Sequence, residues 1–157
     1  MRFSTISLLS LAAAAPVLGQ NNGTYLKTHA GKYLGYTMVS RGIMIGLAVD
    51  GQSKASKASI NSKGNLEIEI EGGESKAGMS LSDISGGPGN LSEVLIGYET
   101  PTKGFTFDQN GGLTLDEERF HGFFACREGG EEGQMYWATE ETKTPDGCEK
   151  LSFAKVA

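Results

Sequence analysis

The chain has 157 residues, with 14 Lys and Arg against 19 Asp and Glu, 38% hydrophobic and 21% charged residues. That balance excludes a disordered polyelectrolyte and a bundle of membrane helices, and it suits one domain of ordinary size. The 23 glycines against four prolines are about twice the usual ~7% share and call for short strands joined by tight turns rather than long helices.

The first segment reads as a leader. Met1-Arg2-Phe3 carries one positive charge, residues 6–15 are apolar and alanine-rich, and Pro16-Val17-Leu18-Gly19 places small or apolar residues before a cut. This is the three-part form of a secretory signal peptide, and it is too short to span a bilayer. Residues 1–19 are therefore expected to be removed, leaving a single secreted β domain over 20–157 that begins near Gln20. No later stretch approaches ~18 apolar residues, so no membrane partner is expected. The tail Phe153-Ala154-Lys155-Val156-Ala157 lacks the hydrophobic signal of a lipid anchor. In an oxidising compartment Cys126 and Cys148 are expected to form a disulfide. Asn22-Gly23-Thr24 and Asn90-Leu91-Ser92 are sequons, which makes Asn22 and Asn90 candidate glycosylation sites.

Along the chain the apolar period is that of strands. Segments 33–39 and 43–49 come first, then a hairpin over 57–70 whose turn is Ser62-Lys63-Gly64-Asn65. Its second arm, Leu66-Glu67-Ile68-Glu69-Ile70, alternates strictly and ends at Gly72-Gly73. Residues 83–90 read as an exposed loop, followed by a strand at 94–98. Phe105-Thr106-Phe107 and Leu113-Thr114-Leu115 flank a turn containing Asn110-Gly111, the strongest short-range hairpin signal. Strands at 122–126 and 135–138 bring the total to about nine or ten. Short antiparallel strands at this spacing specify an all-β barrel or sandwich, with a β-trefoil-like barrel among the arrangements allowed. No convincing internal repeat stands out, although a Gly-aromatic spacing recurs loosely.

Charge is segregated along the chain. Residues 20–66 hold six bases (Lys27, Lys32, Arg41, Lys54, Lys57, Lys63) and one acid, Asp50, whereas residues 67–157 hold seven bases and eighteen acids. Such halves can face each other in a compact molecule. Six scattered bases with few interleaved aromatics do not make a nucleic-acid surface.

Catalytic signals are weak. Glu67, Glu69, Glu71, Asp116, Glu117, Glu118, Glu131, Glu132, Glu140 and Glu141 lie on outer strand faces or in turns, where solvated charge is the ordinary role. None sits in an apolar run that would raise its pKa for acid catalysis. His29 and His121 belong to no nucleophile elbow or metal-binding helix motif. Gly86-Gly87-Pro88-Gly89 lacks the lysine of a phosphate loop. Two Cys and two His do not suggest a structural zinc site. The chain is thus read as a non-enzyme without cofactor or metal. Tyr136 and Trp137 are candidate ligand-facing aromatics. Adjacent on a strand, they should point to opposite faces, with Trp137 buried near Phe120, Phe123 or Phe124 and Tyr136 outside.

Several motifs, in order, resemble those of the fungal cell wall protein PhiA family, also described as mould IgE-binding cell wall proteins. They are Lys32-Tyr33-Leu34-Gly35, Ser53-Lys54-Ala55-Ser56, the loop from Asp83 through Gly89, Ile96-Gly97-Tyr98, Gly104-Phe105-Thr106-Phe107-Asp108, Leu113-Thr114-Leu115, Ala125-Cys126, Met135-Tyr136-Trp137 and Gly147-Cys148. The chain departs from the family in lacking extra N-terminal cysteines, in carrying Arg127 where a proline often follows, and in its Glu/Gly-rich segment 128–133. The resemblance implies a secreted or wall-associated surface protein, allergenic in some members, with cell wall polysaccharide or a host surface component as partner. A secreted effector or carbohydrate-binding protein is the alternative.

Overall fold

The computed structural model describes residues 22–71, 73, 75–97, 99–127 and 133–156. The expected leader with its cut after Gly19, as well as Gly72, Tyr98, Glu131 and Glu132, lies outside the described residues. The protein is all-β, as its apolar period requires. Its strands are β1 (Thr24–Thr28), β2 (Lys32–Ser40), β3 (Ile43–Asp50), β4 (Lys57–Ile60), β5 (Leu66–Glu69), β6 (Lys76–Ser85) and β7 (Ser92–Ile96). They continue with β8 (Phe105–Phe107), β9 (Leu113–Leu115), β10 (Phe123–Cys126), β11 (Gly133–Trp137), β12 (Cys148–Leu151) and β13 (Phe153–Lys155).

The thirteen strands among the described residues exceed the nine or ten expected. The additions are β1, β6, β12 and β13. In β6 the buried positions are Met79, Ser80 and Ser82, two of them polar, and the ladder with β7 shifts register between Leu81 and Ser85, so no regular hydrophobic period marks the strand. Segment 83–90 is accordingly not all loop: residues 83–85 end β6, and Pro88–Asn90 form a short 3-10 turn.

The hydrogen-bonded path β11-β3-β2-β1-β4-β5-β6-β7 returns to β11 and closes an eight-stranded antiparallel barrel. β10 and β12 extend from β11, and β13 pairs with β1. The β8–β9 hairpin is tied in by Phe105 N–H donating to Gly64 O at 3.0 Å and by the Gly112–Ala154 bridge. Closure removes the free edges that an open sheet would expose.

How closure is achieved is visible in β3, β7 and β11. The start of β3 (Met44, Ile45) pairs with the end of β7 (Ile96, Leu95). The start of β7 (Ser92, Glu93) pairs with the end of β11 (Trp137, Tyr136), and the start of β11 (Gly133, Gln134) pairs with the end of β3 (Ala48, Leu47). Three strands cannot all be mutually antiparallel in a flat sheet, because the two neighbours of any antiparallel strand run parallel to each other. They must cross around a common axis. The middle residues Gly46, Val94 and Met135 meet there. A Cβ on Gly46 would lie 3.3 Å from Met135 Cβ and Val94 Cγ1, so the missing side chain is what admits Met135.

Three hairpins, β2–β3, β6–β7 and β10–β11, therefore converge where these strands cross, forming a cap made largely of the barrel's own strands, with pseudo-threefold symmetry in a β-trefoil-like arrangement. Their centres pair as Tyr36 with Gly46, Leu81 with Val94 and Ala125 with Met135. A repeat unrecognised in the sequence accompanies this symmetry. Ile60-Asn61-Ser62-Lys63-Gly64-Asn65-Leu66 and Phe107-Asp108-Gln109-Asn110-Gly111-Gly112-Leu113 share one turn. Asn61 Oδ1 accepts from the Lys63 and Asn65 amides at 2.9 and 3.1 Å, and Asp108 Oδ1 accepts from the Asn110 and Gly112 amides at 2.8 Å each. Gly64 and Gly111 take φ of 75° and 80°, a left-handed conformation that costs glycine nothing. Asp108→Ala is expected to lose about 1–2 kcal/mol, since two amides lose their acceptor; urea denaturation would measure it.

The main core joins Leu26, Leu34, Leu66, Ile68, Phe105, Phe153 and Trp137 inside the barrel. A second cluster, outside the cap, contains Leu91, Phe124, Cys126, Tyr136 and Ala138. Cys126 and Cys148, directly opposite each other on β10 and β12, form the expected disulfide.

Candidate functional site

An open groove of about 620 Å³ runs between β2, the loop before β4 and the end of β5. Tyr25 on β1 and Tyr36 on β2 line it, each half-buried. Both tyrosines sit where strand pairing holds the backbone, so their rings are aimed by the barrel rather than by a loop. The Tyr36 hydroxyl accepts the Glu71 amide at 2.8 Å, which leaves the phenol proton available to donate. Lys57 Nζ lies 5.9 Å from the Tyr25 ring centroid. The Glu69 carboxylate and Lys57 Cβ are so close to Gly23 that a Cβ there would sit 2.7 Å from Glu69 Oε1. At the rim Met38 is 63% exposed, and Val39 follows it at 54%. Lys54 and Lys57 come from the basic half of the chain and Glu69 and Glu71 from the acidic half, so the groove is a place where the two halves face each other.

A second, smaller groove holds Lys27, His29 and Lys155 around Phe153 and Ala154. Two of its cations already lie near aromatic rings: Lys27 over Tyr33 at 5.1 Å and Lys155 over Phe107 at 4.1 Å.

The aromatic pair singled out in the sequence sits elsewhere. Trp137 is 1% exposed, and its Nε1–H donates to Ser82 O at 2.9 Å. It packs in the same core as Phe123, with Phe120 against that core. Tyr136, expected outside, is also buried, at 3% exposure. It does point away from Trp137, but that outer face of β11 is covered. A Cβ on Gly87 would lie 2.5 Å from Tyr136 Cδ1, so the loop after β6 rests directly on the ring. Neither aromatic is exposed at the surface.

Among the described residues no Asp, Glu, His, Lys or Arg is buried. His29 and His121 are both exposed. Glu67, Glu69, Asp116, Glu117, Glu118, Glu140 and Glu141 all retain access to solvent. Two titratable groups are clearly displaced. The Asp50 carboxyl is held below its ordinary range by the hydrogen bond from Lys32 Nζ, at 2.6 Å, with further help from that charge. Arg119 is held above its ordinary range by its hydrogen bond to Asp83, at 3.0 Å. Its guanidinium lies 5.8 Å from the Trp137 ring centroid and near Glu117. Among the described residues no group of three or more His, Cys, Asp or Glu is gathered as metal ligands. Asn22 and Asn90 are exposed, so both sequons are accessible.

The groove was not legible in the sequence because its side chains come from four separated segments. No local motif joins Tyr25, Tyr36, Lys57 and Glu69; only the strand pairings β1–β4 and β4–β5 bring the outer two together. No curated protein and no solved structure matches the chain. It does match a domain of unknown function over residues 18–157, and the chain belongs to that family, DUF7907.

Proposed function

We propose that this protein is a secreted, non-enzymatic surface protein that works by binding at the fungal cell wall. The observation carrying this reading is that all the described Asp, Glu, His, Lys and Arg side chains keep contact with water, while the interior is apolar apart from Asn65 and a few hydroxyls. Acid–base and nucleophilic catalysis at neutral pH draw on groups whose pKa is shifted by burial or close partners. The displaced groups here, Asp50 and Arg119, sit in exposed ion pairs rather than in the grooves. A closed barrel with a cross-strand disulfide suits a protein that must persist outside the cell. The signal-like leader and the resemblance to wall proteins of the PhiA type support the location.

Fractionation of a producing culture tests this reading. The protein is expected in the washed wall fraction, and purified protein should be retained on insoluble wall material. Recovery entirely from the medium, with no retention on walls, would overturn it in favour of a host-facing secreted protein.

A further inference from the structure

We propose that the groove lined by Tyr25, Tyr36, Lys57 and Glu69 binds a neutral saccharide chain; this deepens the wall-binding reading and rests on it. The first support is broken symmetry. Counting the segments built around β2–β3, β6–β7 and β10–β11 as the first, second and third units, Tyr36 and Leu81 hold the same place in the first and second, each opposite the centre of its partner strand. Ser56 N–H donates to Leu34 O and Thr102 N–H to Met79 O, both at 3.0 Å, so the following loops are anchored alike.

In the second unit the space is closed. The Pro101 ring packs on Gly78, and Asn65 Nδ2 donates to Pro101 O and Thr102 O at 3.2 and 3.1 Å. Thr102 Oγ1 accepts the Leu81 amide at 2.9 Å. In the first unit the corresponding space stays open, at about 620 Å³, within the roughly 300–1,000 Å³ range of ligand clefts. A scaffold requirement would apply to all three units, yet the third keeps only an opening of about 160 Å³ beside Ala125 and Cys148. The much wider opening retained in the first points to use.

The lining chemistry selects the ligand class. Tyrosine offers a flat apolar face with a hydroxyl at its end, which suits a sugar ring whose C–H face is apolar and whose rim carries hydroxyls. Glu69 accepts hydrogen bonds and Lys57 donates them, as vicinal hydroxyls require. Among the described lining residues two lysines, Lys54 and Lys57, face two glutamates, Glu69 and Glu71, so these charges balance rather than select a polyanion. The exposed Met38 at the rim extends the apolar strip beyond one ring, favouring a chain over a single sugar.

The test is calorimetric titration of the folded protein with soluble β-1,3-gluco-oligosaccharides and chito-oligosaccharides, with polygalacturonate as the anionic comparison, alongside retention on insoluble walls. Tyr36→Ala and Glu69→Gln are expected to weaken oligosaccharide binding at least tenfold. Lys155→Ala, in the other groove, should leave it unchanged. Thermal melts show whether each variant is folded, and Glu69→Gln, altering only a half-exposed carboxylate, serves if Tyr36→Ala is not. Wall retention that survives Glu69→Gln would overturn the groove while leaving the wall reading intact. Loss of oligosaccharide binding in the variants, with wild type not retained on walls, would support the groove and overturn the wall reading. Absence of neutral-sugar binding by wild type, or preference for polygalacturonate, would overturn the proposal.

Discussion

Trp137→Ala is expected to cost about 3–5 kcal/mol of unfolding free energy, the usual range for deleting a large aromatic from a packed core. Three effects combine. The indole is almost wholly enclosed, its removal leaves a cavity beside Phe123, and Ser82 O loses the donor that satisfies it inside the protein. For a domain of this size the melting temperature should fall by roughly 10 °C or more. Trp137→Phe keeps most of the packing but not the hydrogen bond, and should cost about 1–3 kcal/mol. Chemical denaturation followed by circular dichroism measures both. The phenylalanine variant, where folded, should still bind wall material. Loss of binding at unchanged stability would place the indole at the ligand instead.

Opening the Cys126–Cys148 disulfide, by reduction or by double substitution with serine, should cost about 3 kcal/mol on the loop-entropy account. The bond joins directly opposed residues of β10 and β12, so it closes a loop of sequence separation 22 and fixes the outermost strand of the cap. The oxidised protein should show no titratable thiol under denaturing conditions. Comparing melting curves with and without reductant gives the stability difference. Equal curves would mean that β12 is held by its ladder alone.

Much of the fold could be read from residues in order. The hairpins β4–β5 and β8–β9 announced themselves because each has a regular apolar period and a Gly-containing turn, and β2 and β3 were legible as separate strands. The disulfide followed from two cysteines, and Trp137 was correctly placed inside. The strands that escaped notice lacked that simple pattern. β6 buries serines: Ser80 Oγ donates to Glu99 O and Thr100 O at 3.2 and 3.3 Å, and Ser82 Oγ donates to the Glu99 carboxylate at 3.5 Å. A hydropathy pattern counts such residues as polar. Tyr136 was misplaced for a related reason. Alternation along a strand says which face a side chain takes, but whether that face is wet depends on a loop from elsewhere, here the one carrying Gly87. The repeat escaped because its shared element is a hydrogen-bonding role, an Asx side chain at Asn61 and Asp108, rather than a run of identical residues.

The cyclic pairing of β3, β7 and β11 has a consequence for how the chain reaches its native state. Each of these strands completes its ladder with the next, so no one unit can be finished alone. A fragment ending before β11 would leave the edges of β3 and β7 that β11 covers unpaired. Local hairpins can form early, but the reward for joining them comes only after both intervening loops have been closed, which places the main barrier late and at long chain separation. Folding should therefore be single-step and slow for the size, on the order of milliseconds to seconds, and unfolding should release all three units at once rather than one by one.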